Sequence, residues 1–188
     1  TIKKENILKI VWDAGIKWLC LGIESGKKEI RLEITKGKFE DVDVETVIRK
    51  VHEADIDVMA NYIYGLPGDT RESIMDTLDL SKKLCTRGWN TYASMALPGS
   101  NLYKLALEKN YQLPSNYEGY AWLSYECQPL RNENMTAEEI LRMRDNAFFE
   151  YHTYKPFLNK VKEKFGQKAV DNINQMTKVK LKRKILGD

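Results

Sequence analysis

Three apolar runs of this chain end in residues that could do chemistry: Glu24 after Gly22-Ile23, Asn61 and Gly65 within Asp57 to Thr70, and Leu97 before Pro98-Gly99. Glycine carries no Cβ, so Gly65 and Gly68 in Gly65-Leu66-Pro67-Gly68 let the backbone come close to whatever lies beyond the run. The helix that follows offers its N-terminus to an anion. Asp69 is expected to cap that helix, with Glu72 three residues on completing a capping box. Metal and nucleophile chemistry find less support. Cys20, Cys85 and Cys127 stand 65 and 42 positions apart and read as reduced, mostly buried thiols. His52 and His152 each lack a second ligand at metal spacing and read as surface or core filler. No Ser–His–acid or Cys–His pair can be argued, and the catalytic residues are left unassigned.

The elements that must position these residues alternate. A helix over 3–14 precedes a strand over 17–23, and a short helix follows over 27–35. Asp43 caps a helix whose Val44, Val47, Ile48 and Val51 fall on one stripe. A strand over 57–64, a helix over 70–87 burying Ile74, Leu78, Leu84 and Cys85, a strand over 90–97 and a Ser100-capped helix ending near Asn110 complete three βα units. Strands alternating with helices form a parallel sheet whose site lies at the strands' C-terminal ends, so Glu24, Asn61, Gly65 and Leu97 are expected on one rim. On the middle strand Asn61, Ile63 and Gly65 point to one face of the pleat.

From 111 to 135 turns and aromatics dominate, which predicts an ordered, irregular segment covering part of the sheet. Thr136 with Glu139 forms a capping box for a helix with Ile140, Met143, Ala147, Phe148 and Tyr151 on its buried side, ended or kinked at Pro156. Helices over about 157–165 and 167–184 finish the chain. The division expected is 1–110, 111–135 and 136–188.

The 188 residues, 43% apolar and 30% charged, suffice for a proper core. No apolar run approaches the ~18 residues a membrane span needs, no signal-peptide pattern opens the chain, and a cytoplasmic protein is the default expectation. A net charge of +3 is too small to argue a polyanionic partner such as nucleic acid. Lys178, Lys180, Lys182, Arg183 and Lys184 crowd the end, where a solvated, fraying helix is expected.

GIESG at 22–26, Lys36-Gly37, YGLPGDT at 64–70 and LPGSNLY at 97–103, in this order over about 85 residues, resemble the second half of a radical S-adenosylmethionine enzyme core, in the sub-group that often carries a cobalamin-binding domain upstream. The resemblance implies three βα units of a partial (β/α)6 TIM-like barrel followed by a helical extension. It implies S-adenosylmethionine as cofactor, with Glu24 and Asn61 reaching the ribose, Lys36 pairing with the methionine carboxylate, Ile63 packing on the adenine, Gly65 on the same face, and Leu97 and Pro98 meeting the adenine edge through backbone groups. Many relatives carry Asp where Asn61 stands. The family holds a [4Fe–4S] cluster on a CxxxCxxC loop, which this sequence lacks. The chain therefore reads as a fragment beginning before the fourth strand and inactive alone, its partners being the absent N-terminal half and a small-molecule substrate. The full protein would generate a 5′-deoxyadenosyl radical for hydrogen abstraction, with cobalamin-assisted methyl transfer as one use of it. A non-catalytic half-barrel that binds or supports, or a piece of a tRNA methylthiotransferase, are the alternatives, and the exposed first strand predicts self-association.

Overall fold

A computed structural model describes residues 6–37 and 40–188. The elements are α1 (Ile7–Asp13), β1 (Trp18–Glu24), α2 (Lys28–Thr35), α3 (Val44–Glu53), β2 (Asp57–Tyr64), α4 (Arg71–Leu84), β3 (Gly88–Ala93), α5 (Asn101–Glu108), α6 (Ala137–His152), α7 (Lys155–Phe165) and α8 (Gln167–Met176), with single 3-10 turns at Tyr117–Tyr120 and Lys184–Leu186. The fold is α/β: three parallel strands in the order β1-β2-β3 form one open sheet, as in part of a TIM-like barrel, and the chain after Thr136 is helical. The first residues of the helix expected over 3–14 lie outside the described residues.

Alternation along the strands explains which face carries the core. Val58, Ala60, Tyr62 and Tyr64 of β2 and Trp89 and Ala93 of β3 are buried against Ile48 and Val51 of α3, Ile74 and Leu78 of α4, and Ile140, Ala147 and Tyr151 of α6. The opposite face, with Cys20, Gly22, Met59, Asn61, Ile63, Asn90 and Tyr92, is exposed or half-buried. Its rows are set by register: Cys20–Met59–Gly88, then Gly22–Asn61–Asn90, then Ile63–Tyr92. Cys20 is therefore an exposed thiol, not a buried one.

The two edges of the sheet differ. Along β3, Arg144 Nε donates to Thr91 O at 3.0 Å and Trp122 Nε1 to Ala93 O at 2.9 Å, so α6 and the aromatic segment supply side-chain donors to carbonyls that would otherwise template another strand. Among the described residues β1 has no strand on its outer side, and Trp18 there stacks on Phe165 of α7 with ring centroids 6.0 Å apart.

β3 is shorter and earlier than the apolar run suggests. The chain leaves the sheet at Ser94, whose N still donates to Tyr64 O of β2 at 2.7 Å while its O accepts from Leu130 N at 2.8 Å, and Leu97 N turns back to Met95 O at 2.9 Å. Leu97 thus lies in the loop before α5, 42% exposed, and not on a strand end.

The β2–α4 turn also differs from expectation in its details. Thr70, not Asp69, is the N-cap of α4, and its reciprocal partner is Ser73 rather than Glu72. Asp69 is buried and serves the turn itself: its carboxylate accepts from Gly65 N at 3.0 Å, Leu66 N at 2.9 Å and Ser73 Oγ at 2.6 Å. Asn132 and Asn134 close the same turn by donating to the Asp69 carbonyl. Gly65 has φ +84°, and a Cβ there would meet Ile140 Cδ1 at 2.6 Å. Replacing it adds left-handed strain of about 1–2 kcal/mol and overpacking of about 1–3 kcal/mol, so Gly65→Ala is expected to lower unfolding free energy in urea titrations by about 2–5 kcal/mol.

The basic end is docked. α8 stops at Met176, and Arg183, expected to be solvated, is fully buried. No described helix is long and apolar enough to cross a membrane.

Candidate functional site at the open sheet face

Glu24 ends β1 in a left-handed conformation, φ +66°, where the register with β2 shifts between Gly22 and Glu24. That bulge turns its side chain back along its own strand, and a Cβ on Gly22 would overlap Glu24 Oε1. Gly22 is paired with Asn61, so the carboxyl group lies on the open face beside the Asn61 row. Among the described residues Glu24 makes no hydrogen bond or ion pair, and partial burial raises its pKa above the usual glutamate range. A half-buried carboxylate with empty lone pairs is suited to accept from two hydroxyls of a ligand.

The loop after Glu24 is held from two sides. Gly26 N donates to Thr77 Oγ1 of α4 at 2.8 Å, and Arg31 Nη1 of α2 donates to Ser25 O at 2.8 Å and Gly26 O at 3.0 Å. Arg31 is thus a clamp on the loop that carries Glu24. Ser25 is fully buried, and its Oγ accepts from Lys27 N at 3.2 Å, near the start of α2.

Asn61 is committed to the protein. Its Nδ2 donates to Leu21 O at 3.3 Å and Met59 O at 3.2 Å, and its Oδ1 accepts from Asn90 Nδ2 at 3.1 Å. One acceptor lone pair is left for a ligand. Ile63, in the next row, is half-buried on the same face. Gly65 ends the row at the turn organised by Asp69. The structure thus places Glu24, Asn61, Ile63 and Gly65 along the C-terminal halves of two adjacent strands and the turn after them.

The remaining expected ligands lie apart from these strands. Lys36 is the C-cap of α2, φ 51°, with an exposed side chain. Leu97 and Pro98 are exposed in the β3–α5 loop. Sequence reasoning did not single out Asn90 and Tyr92, which share the open face. Asparagine is unfavourable inside strands, and two of them at equivalent positions of adjacent strands would have been the signal.

The three cysteines do not gather. Cys20 is on the open face, Cys85 is the buried C-cap of α4, and Cys127 is buried beside Met95 and Leu141, where burial pushes its thiol up to about 11. No group of three His, Cys, Asp or Glu side chains among the described residues is arranged to hold a metal. His152 is packed among Trp89, Tyr151 and Phe157, and burial lowers its pKa. His52 is on α3, on the covered side of the sheet.

Residues 1–81 match the family model of the Radical SAM superfamily. A Pyrococcus horikoshii protein named an uncharacterized methyltransferase is 23% identical over 148 residues, which cover 79% of this chain and 31% of that protein. The matched chain spans about a third of that relative's length. Residues 1–81, which include β1, the Glu24 loop and β2, are thus similar to a radical S-adenosylmethionine enzyme region.

Proposed function

We propose that the open sheet face binds S-adenosylmethionine, and that the chain is the cofactor-binding portion of a radical enzyme whose reaction class is methyl transfer. The observation that carries this reading is the Glu24 carboxylate, unpartnered, half-buried and turned over Gly22 beside Asn61. The family match and the printed name of the Pyrococcus relative support it.

Under this reading Glu24 accepts from the two ribose hydroxyls, Asn61 offers its one free lone pair, and Ile63 gives the adenine an apolar floor. Lys36 contributes only if the end of α2 brings its ammonium to the methionine carboxylate, and Leu97 and Pro98 act through backbone groups. S-adenosylmethionine, when reductively cleaved, supplies a 5′-deoxyadenosyl radical for hydrogen abstraction. The scattered cysteines do not fit a [4Fe–4S] cluster. Cobalamin, which the resemblance adds to the reading, finds neither histidine on the open face. β1's outer edge and the open face would be completed by the other half of the barrel, or in the isolated chain by a second copy.

Calorimetry of the isolated chain with S-adenosylmethionine is expected to give a Kd of roughly 0.1–1 mM, about 4–5.5 kcal/mol. Glu24→Ala should weaken this at least tenfold, through the loss of charge-assisted hydrogen bonds worth about 1.5–3 kcal/mol. Ligand hydroxyls favour the ionised carboxylate, so affinity should fall as pH drops through the raised Glu24 pKa, at a higher pH than an ordinary glutamate would impose. Binding unchanged by Glu24→Ala, Lys36→Ala and Asn61→Ala together would overturn the site.

A further inference from the structure

The orientation of two amides on the open face fixes what that face can recognise on its β3 side. Leu21 O and Met59 O are acceptors only, so the nitrogen of Asn61 must face them and its oxygen must face Asn90. Asn90 then has to turn its nitrogen toward Asn61, which leaves its Oδ1 without a partner among the described residues. Asn90 is half-buried as a residue, and its amide is held by Asn61 of the adjacent strand.

Asn90 lies two strand spacings from Gly22, roughly 10 Å from the line along which the Glu24 carboxyl lies. That is too far for both groups to hold one diol. Beside Asn90, and two residues along the same strand face, Tyr92 packs against Trp122 with the rings tilted by 54° and their centroids 5.0 Å apart. The Trp122 indole is anchored by its hydrogen bond to Ala93 O. The β3 side of the face therefore combines one oriented acceptor with an aromatic wall whose position is fixed.

We infer that Asn90, Tyr92 and Trp122 form a second subsite, on the substrate side of the face, for a planar ring carrying an N–H or O–H donor. The ring lies against Tyr92 and Trp122, and its donor is taken by Asn90 Oδ1. Asn61 acts there as a positioning residue that sets the Asn90 amide. The word substrate rests on the proposed function, whereas the contact itself does not.

The test compares indole with 1-methylindole, the same ring without the donor, by 15N–1H NMR titration of the whole 188-residue chain. Indole is expected to bind in the millimolar range, shifting the Trp122 indole N–H and the Asn90 side-chain amide signals, and 1-methylindole about fivefold more weakly, the loss of one hydrogen bond. Asn90→Ala should make the two probes equal, and Tyr92→Ala should weaken both. Equal binding to the unaltered chain, a preference that survives Asn90→Ala, or shifts centred on the cavity of about 290 Å³ lined by Phe148, Phe149 and Met176 would overturn the subsite. Glu24→Ala is expected to leave indole binding unchanged, so a failure of the S-adenosylmethionine reading and a failure of this one give different results.

Discussion

Arg183→Met is expected to cost about 3–5 kcal/mol of stability, the range for breaking a buried ion pair from one side. Arg183 is fully buried, and its guanidinium faces Asp145 of α6 with both ends of the fork, Nε to Oδ2 at 2.9 Å and Nη2 to Oδ1 at 3.0 Å. Its Nη1 donates to Trp122 O at 3.0 Å and Ser124 O at 2.8 Å. Methionine fills much of the same volume and supplies none of these donors. Asp145 would keep only Arg144 Nη1, at 2.8 Å, and two carbonyls would lose their partner. For a chain of this length 1 kcal/mol corresponds to about 2–4 °C, so the melting temperature should fall by roughly 6–20 °C. Deleting 178–188 should do at least as much. An unchanged melting temperature would mean that the basic end is only laid against the surface. Because Arg183 fixes the carbonyl of Trp122, whose indole covers a β3 carbonyl, the variant should also speed exchange of the Trp122 indole N–H.

This anchor illustrates what the sequence could and could not disclose. Lys178, Lys180, Lys182, Arg183 and Lys184 read as a solvated run, because what buries one of them depends on acceptors contributed by 122, 124 and 145, far away along the chain. Local signals did better where the determinant is itself local. β2 occupies 57–64 as predicted, since an apolar stretch bounded by Asp55 and Gly65 has few ways to be satisfied, and the Thr136–Glu139 box starts α6 through hydrogen bonds made within one turn. β3 was misplaced because Met95 and Ala96 are apolar for burial and not for pairing: they belong to small clusters beside the sheet. In the site, alternation put Asn61 and Ile63 on the open face. The bulge that turns Glu24 over Gly22 and the amide chain that ties up Asn61 are set by neighbouring strands, so no spacing reveals them.

Gly26→Val should unlatch the Glu24 loop, with loss of both stability and cofactor affinity. A Cβ at position 26 would lie 2.6 Å from Asp76 O and 2.7 Å from Thr77 N, and these are backbone atoms of α4 that cannot rotate away as a side-chain tip can. Either the helix or the loop must move. If the loop moves, Gly26 N loses Thr77 Oγ1, the two carbonyls on Arg31 lose their geometry, and Ser25 is drawn out of a fully buried position. An unpartnered buried amide costs about 1–3 kcal/mol and the overpacking about 1–3 kcal/mol more, which gives an expected loss of about 2–6 kcal/mol. Glu24, two residues away, would leave the face, and S-adenosylmethionine binding should fall as far as it does in Glu24→Ala. Thr77→Val separates the two effects: it keeps the space for Gly26 and removes the hydroxyl that accepts from Gly26 N and donates to Ser73 O, so about 1–3 kcal/mol should be lost while the Glu24 carboxyl stays over Gly22 and binding weakens less than fivefold. Calorimetry and urea unfolding of both variants measure this directly. Affinity retained in Gly26→Val despite the lost stability would show that the loop does not position Glu24, and the carboxylate would have to be held by the bulge in β1 alone.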